Sequence, residues 1–490
     1  LLAAGFAPAQ DQPDPGAREQ QEPSYEGPSV LNRQNAFGAY ARASGVYELA
    51  GASTETPSLP GEQDPQDSGS DGPSILSRTA APSQTTKGAM NAFGLYAQII
   101  GVYDSGLIVP LNATGKPGNA VASFGEEANF GANASQRWRR GKLSVEYRGS
   151  YRQYTHAPAF DGLDQFLQID YSEALSRHLT LDLKNTLGTT TLANGAFSYF
   201  PLASLDRLGM PTDELFDSRT NYLQSRVDLT WRLTSRLSIN FGGDGFVVRR
   251  ASLLLAGLNG YNARSSVAYR FTPRQTISAS YENTYFDFEN AFGNSRLETA
   301  ALGYSIGLTR QWDLSTLAGG VRVNTLGLTE IPLNPSIVAL TGENFAVVTF
   351  RNALYLPVAE VRLIRRFQTA SLTFDYASAV TPGNGLYLTS RQTSGAVAYS
   401  YVASRALQAR MSAGYNQLSA LGQTLGKYSN LQGGVQVLYK LTGDTYLDVR
   451  YDYRHYTAHY STGDAFLEND SNRVSLGVAF SLGETSSGIW

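Results

Sequence analysis

The sequence predicts an all-β fold, an antiparallel transmembrane barrel, on three observations. The first is a segment with two chemically opposite faces. Between Asp444 and Arg454, one parity reads Leu447, Val449, Tyr451, Tyr453 and the other Asp448, Arg450, Asp452, Arg454. Successive strand side chains point to opposite faces, so one side is wholly apolar and aromatic and the other wholly charged. Lipid on one side and a polar lumen on the other require that division. The second observation is that the pattern recurs along most of the chain. The third is composition: 48 Gly and 29 Tyr among 490 residues, with only 17% charged, suit many strands, tight turns and interfacial aromatic girdles. A mean hydropathy of -0.24 is too polar for a helical membrane protein but fits a wall in which alternate residues meet lipid. No run of about 18 apolar residues is present, which excludes a transmembrane helix.

Residues 1–9 read as the end of a secretory signal peptide. Ala7 and Ala9 match the small-residue cleavage rule, with the cut before Gln10. Residues 10–91 form a Pro-, Gly-, Ser- and Gln-rich tail, too poor in apolar clusters to offset its ordering entropy and therefore expected to be disordered. Between Asp11 and Lys87 it carries eleven acids against five bases, a surplus of six negative charges that leaves the rest of a chain of net charge -3 at about +3. A duplicated motif spans the boundary. Gly27–Arg33 (GPSVLNR) returns as Gly72–Arg78 (GPSILSR), and Asn35–Ala41 (NAFGAYA) as Asn91–Ala97 (NAFGLYA). It is either a docking element displayed twice or a duplicated piece of tail and first strand.

From residue 92 to 490 the period-2 segments come at barrel spacing. Outward sets include Leu143/Val145/Tyr147, Leu179/Leu181/Leu183, Leu223/Val227/Leu229/Trp231, Ile277/Ala279/Tyr281, Leu302/Tyr304/Ile306, Val435/Val437/Tyr439 and Val474/Leu476/Val478/Phe480. Short polar turns at 137–141, 176–178, 234–236, 272–274, 309–311, 365–367, 403–405 and 442–444 alternate with longer connections, notably about 188–219, 326–344 and 458–470. The turn at 137–141 makes the strand before it run downward, which demands an upward strand ahead, at 92–104. The count is then 18 strands; 16 is the alternative if 92–104 stays outside and one weak segment is misassigned.

The lumen parity carries the candidate functional side chains. They are Arg148, Arg152, Arg226, Arg232, Arg264, Arg270, Arg410, Arg450 and Arg454, with Glu146, Asp182, Asp228, Glu282, Asp448 and Asp452. Rings of charge set selectivity in pores. The alternation Asp448/Arg450/Asp452/Arg454 equally suits mutual pairing that only rigidifies and wets the wall, and both readings stand. Most Tyr share parity with the lipid-facing Leu and Val, as interfacial girdles require. No catalytic site is legible: Cys is absent, no Gly-rich loop precedes a helix, and the four His are scattered. His455 and His459 share a face about 13 Å apart by strand rise, too far to hold one metal. No cofactor, metal or enzymatic role is expected, and a net charge near zero indicates no nucleic-acid partner.

This layout resembles the porin-like outer-membrane barrels of Gram-negative bacteria over about 92–490, in architecture rather than in a diagnostic motif. The resemblance implies a bacterial outer-membrane location with the tail in the periplasm, outer-membrane lipid around the barrel, and insertion by the barrel-assembly machinery. It also implies a closing aromatic residue, either Phe480 or Trp490. Such barrels fold their third outer loop inward. Here that loop is 188–219, with Asp206, Asp213, Glu214 and Asp217 as constriction candidates. A barrel of this strand number normally leaves an aqueous lumen. The expected function is passive passage of small hydrophilic solutes; the alternative is a barrel that anchors a surface or periplasmic complex through its tail. Oligomerisation and a periplasmic partner of the tail stay open.

Overall fold

The structure is a computed structural model, and it describes residues 91–108, 120–191, 219–309, 311–332, 334, 345–404, 406–421, 425–442, 444–460 and 465–483. The expected signal remnant, the acidic tail and Trp490 lie outside these residues. Eighteen strands run in chain order: β1 (Asn91–Ile108), β2 (Ala120–Arg137), β3 (Gly141–Tyr154), β4 (Gly162–Ala174), β5 (Leu179–Thr191), β6 (Arg219–Arg232), β7 (Leu237–Arg250), β8 (Gly257–Thr272) and β9 (Gln275–Glu289), then β10 (Asn294–Gly307), β11 (Trp312–Pro332), β12 (Phe345–Arg366), β13 (Ala370–Thr381), β14 (Ser390–Val402), β15 (Leu407–Ala420), β16 (Leu425–Lys440), β17 (Thr445–Tyr460) and β18 (Ala465–Gly483). Each pairs antiparallel with its sequence neighbours, and β1 pairs with β18 in the register Ala97↔Phe480. The sheet therefore closes on itself and has no free edge.

The sequence codes for the turns through hydroxyls. Thr234 Oγ1 accepts the backbone N–H groups of Arg236 and Leu237, Thr309 Oγ1 those of Gln311 and Trp312, and Ser404 Oγ those of Ala406 and Leu407. Ser176 and Thr272 accept from His178 and Arg274 in the same way. A short hydroxyl side chain closes a tight reversal by taking the amides that the ladder leaves unpaired. All these turns lie at one rim, with the start of β1 and the end of β18. The longer connections lie at the other.

Strand parity sets the two faces. Val227, Val478 and Leu476 on the outer face are about half exposed, at 49%, 47% and 57%. Asp228, Asp448 and Arg473, on the opposite parity, are buried. A closed belt of exposed Leu, Val, Ile, Phe and Tyr far exceeds the apolar patch a soluble protein shows, and is the lipid face. Trp138 with Tyr171, Tyr269 with Phe271, and Trp312 under the Arg365 guanidinium form its girdle at the short-turn rim.

Eighteen strands are found where eighteen are expected. Two of the long connections are shorter than expected: β11 extends to Pro332, while β17 runs to Tyr460 and β18 begins at Ala465, so 326–332 and most of 458–470 are strand. Backbone pairing continues past the lipid zone because the ladder needs no apolar side chains, and polar composition there marks the rim, not the strand end. Phe480 is part of β18 and faces lipid, flanked by Ala97 and Thr445.

The faces make a direct prediction. Val227→Arg or Val478→Arg puts a guanidinium into the lipid and should cost about 2–4 kcal/mol near the midplane, seen as loss of the heat-resistant folded barrel. Thr180→Arg, on the lumen parity, should keep it. Equal loss in both groups would reverse the assignment of faces.

Candidate solute path through the lumen

Every lumen-face candidate within the described strands has the parity expected of it, and the arginines gather with acids in three groups. Along single strands, residues two apart share a face: Arg148 Nε lies 2.5 Å from Glu146, Arg226 Nε 2.5 Å from Asp228, and Arg450 Nε 2.7 Å from Asp452. Arg148 also lies over the Phe166 ring, 5.0 Å from its centroid.

Across strands, Arg264 on β8 reaches over β7 to β6. Its Nη2 donates to both Asp228 oxygens at 2.8 Å, and its Nη1 to Asp244 at 3.2 Å. Gly242 lies beneath this fork: a Cβ there would meet Arg264 Nε at 2.9 Å and collide with Asp228. The missing side chain is what lets a pair span an intervening strand. Glu282 sits directly opposite Arg264 in the β8–β9 register, and Asp182 opposite Asp228 in β5–β6.

The third group braces the seam. Glu127 on β2 accepts from Arg473 of β18 at 2.8 Å, bracketing β1, and lies 3.7 Å from Arg152, which also pairs with Asp164. On the other side of the seam, Gln98 of β1 donates to Asp448 of β17 at 3.0 Å, as does Gln436. Asp104 accepts from Ser471 at 2.8 Å. Sequence reasoning named Arg152 and Asp448 but missed Glu127, Asp164, Asp244 and Arg473. Their parity within β2, β4, β7 and β18 was the available signal.

The remaining candidates are spread more widely. Arg410 faces Gln436, and Arg454 faces Gln432, on the β15–β17 wall. Arg270 lies near the short-turn end of β8. Arg232 ends β6 exposed at that rim, where its carbonyl meets the His178 ring at 3.1 Å. It is a rim residue rather than a mid-lumen one, because β6 stops there. Asp206, Asp213, Glu214 and Asp217, the expected constriction set, lie outside the described residues. Among the described residues, no group of three or more metal-ligating side chains gathers.

The sequence reading did not foresee that the long-loop half of the lumen is strongly apolar between β7 and β13. Phe246, Val248, Leu258, Phe286, Phe288, Leu297, Val321 and Val323 are buried on the inner parity. They pack with Val380 near the end of β13 and with Ala256 and Leu388, contributed by two inward connections. Each large side chain so buried stabilises the packing by roughly 1.5–3 kcal/mol. The β13–β14 connection is buried from Thr381 through Ser390. Gly383 and Gly385, with φ of 87° and 81°, turn it inward, and Asn384 Oδ1 caps the turn by accepting the N–H groups of Leu386 and Tyr387.

Gly385 accepts the Ala256 N–H of the β7–β8 connection at 3.1 Å. Thr389 meets Ser295 of β10 at 2.5 Å. The Tyr387 ring packs at a tilt against Tyr428 of β16, their centroids 6.2 Å apart, joined by Leu255, Tyr456 and Leu467. The two connections thus bridge the lumen near its long-loop rim. The inner wall on the arc β2–β6 carries Ser123, Glu127, Asp164, Gln168, Gln224 and Arg226, beside a smaller apolar cluster of Val102, Tyr154 and Phe160 at its long-loop end.

No protein-family model matches the chain, and no curated protein does. Solved structures give an architectural likeness. Pseudomonas aeruginosa OccK5 (OpdH) shares 11% identity over 80% of this chain and 98% of its own, with a TM-score of 0.41. The outer membrane protein opdK of the same organism gives 10%, 80%, 99% and 0.41. Acinetobacter baumannii OccAB4 gives 11%, 81%, 99% and 0.37. At this distance the likeness extends no further than the fold class. That class, a closed 18-stranded porin-like membrane barrel, stands on the strand pairing of this chain itself.

The bridge can be tested by one residue. Gly385→Val places a branched side chain where φ is positive and Arg250 Nε lies 2.6 Å from the Cβ position. It should strain the connection by about 1–3 kcal/mol. The expected result is an unchanged heat-resistant barrel with increased single-channel conductance; unchanged conductance would place the bridge off the conducting path.

Proposed function

We propose that this protein is an outer-membrane channel for small hydrophilic solutes. The observation that carries the reading is the division of the closed barrel into a lipid-facing apolar exterior and a charged interior. An interior of that kind needs water or a polar solute beside it. The short-turn rim, with the start of β1 and the tail, then faces the periplasm, and the bridged rim faces outward. The solute enters along the polar arc β2–β6, beside the Glu127–Arg152–Asp164 group, and continues past the Arg226–Asp228–Arg264 and Arg450–Asp452 pairs. The apolar segment behind the bridge is packed and offers no hydrophilic route.

Pairing determines selectivity. A guanidinium beside a carboxylate contributes a local dipole more than a net charge, so the wall discriminates weakly between ions. A modest anion preference follows from the surplus of about three positive charges outside the tail. It fades as salt screens the wall, over a Debye length of about 10 Å at 0.1 M.

Planar-bilayer recording tests the proposal. Stepwise conductance is expected; its absence from correctly folded barrels would favour the anchoring role instead. The variant carrying Arg148→Gln, Arg226→Gln and Arg450→Gln leaves Glu146 and Asp452 without those partners and weakens the hold on Asp228. At low salt its cation-to-anion permeability ratio should rise about twofold or more over the parent. No change would mean that these pairs lie away from the ion path.

A further inference from the structure

The short-turn rim carries a charge pattern that the channel reading does not use. Arg139 and Arg140 in the β2–β3 turn, Arg177 in β4–β5, Arg236 in β6–β7 and Arg274 in β8–β9 are all exposed. None of the five has an ion-pair partner among the described residues. They occupy successive turns on one half of the rim. On the other half, Arg366 is paired with Asp313, Arg365 lies over the Trp312 and Phe367 rings, and the β16–β17 turn presents Asp444, while Arg310 and Arg405 lie outside the described residues. The acids at this end of β4 and β5 are Glu173, hydrogen-bonded by Tyr171, Asp182, opposite Ser172, and Asp170, beside Lys142. Like charges on neighbouring turns raise the local potential, and a polyanion is the group that relieves it.

The chain contains such a polyanion at the matching place. Between Arg42 and Arg78 it carries Glu48, Glu55, Glu62, Asp64, Asp67 and Asp71 and no Lys or Arg. This stretch joins the barrel at Asn91, where β1 begins on the same rim, opposite Gln136 and next to the Arg139–Arg140 turn. The twenty residues from Asp71 to Asn91 reach at most about 70 Å. An 18-stranded barrel with tilted strands has a diameter of about 35 Å, so the whole basic half-rim is within reach. Tethering also supplies an effective concentration of the order of millimolar.

We propose that the acidic stretch Glu48–Asp71 docks on the arginine half-rim formed by Arg139, Arg140, Arg177, Arg236 and Arg274. The carboxylates neutralise the rim and set the field at that mouth of the lumen, and the contact is electrostatic and sensitive to salt.

The chain has no cysteine, so two introduced thiols report the contact alone. Full-length protein with Gln66→Cys and Ser235→Cys is folded into phosphatidylcholine vesicles and treated with a short bis-maleimide. A charge-neutral version replaces the six acids by Gln or Asn and leaves the barrel untouched; a third carries Leu253→Cys at the opposite rim in place of Ser235→Cys. At low salt the native tail should cross-link severalfold more than the neutral one, the two should converge in 1 M salt, and Leu253→Cys should give none. Replacing the five arginines by Gln should lower the native yield to the neutral level. Equal yields from native and neutral tails would overturn the proposal. So would a native yield that falls to the neutral level when phosphatidylglycerol is added to the vesicles, an outcome that assigns the rim to lipid phosphate.

Discussion

Backbone hydrogen bonding in lipid is the constraint on which the rest of this structure depends. Hydrocarbon offers no partner to a free N–H or C=O, so a sheet that spans it must have no edge. Seventeen of the pairings join strands adjacent in sequence and form locally. The eighteenth joins β1 to β18, whose partners lie almost four hundred residues apart. This contact of longest sequence separation is braced on both sides, by Arg473 to Glu127 across β1 and Gln98 to Asp448 across β18. An arginine–glutamate pair next to a single hydrogen-bonded ladder gives the seam a fixed register, since a slip of one residue would turn Arg473 towards lipid.

Closure creates a second problem, the interior. Small barrels fill theirs with side chains, whereas eighteen strands enclose too much space for that. This protein uses two solutions in one lumen. Over β7–β13 the space near the long-loop rim is filled by an apolar core that includes Phe286, Phe288 and the inward β13–β14 connection. Smaller apolar clusters close the same rim around Tyr428 and Tyr456 and around Val102, Tyr154 and Phe160, and below them the wall is polar, with arginines held by acids on the same or neighbouring strands. The glycines follow from this division. Gly385 permits the inward turn, and Gly242 lets Arg264 reach Asp228 across a strand.

The fold was legible in the sequence because parity is a local property. Leu447–Arg454 announces its two faces without reference to any other strand, and short polar turns, most of them with a Ser or Thr hydroxyl and an Arg, mark one rim. The same parity placed Arg148, Arg226, Arg264 and Arg450 on the lumen. It could not reveal which acids they meet, since Arg264 with Asp228 and Arg473 with Glu127 are contacts across strands. The apolar segment escaped notice for a different reason. Phe286 and Phe288 alternate with Tyr285 and Asp287, and a reading that equates apolar with lipid cannot recognise a strand that is apolar on the inside. Glu282 and Thr284 share their parity and were the signal that these rings point inward.

Spin-label accessibility along β17 tests the central claim, a membrane-embedded wall with a polar interior, most directly. Single cysteines replace Leu447 through Arg454 one at a time, each carrying a nitroxide, in protein folded into vesicles. Collision with oxygen, which concentrates in lipid, should peak at Leu447, Val449 and Tyr451 and fall at Asp448, Arg450 and Asp452. A period of two in that phase is the result this account predicts. The opposite phase, or oxygen accessibility that is uniformly low along the strand, would contradict it.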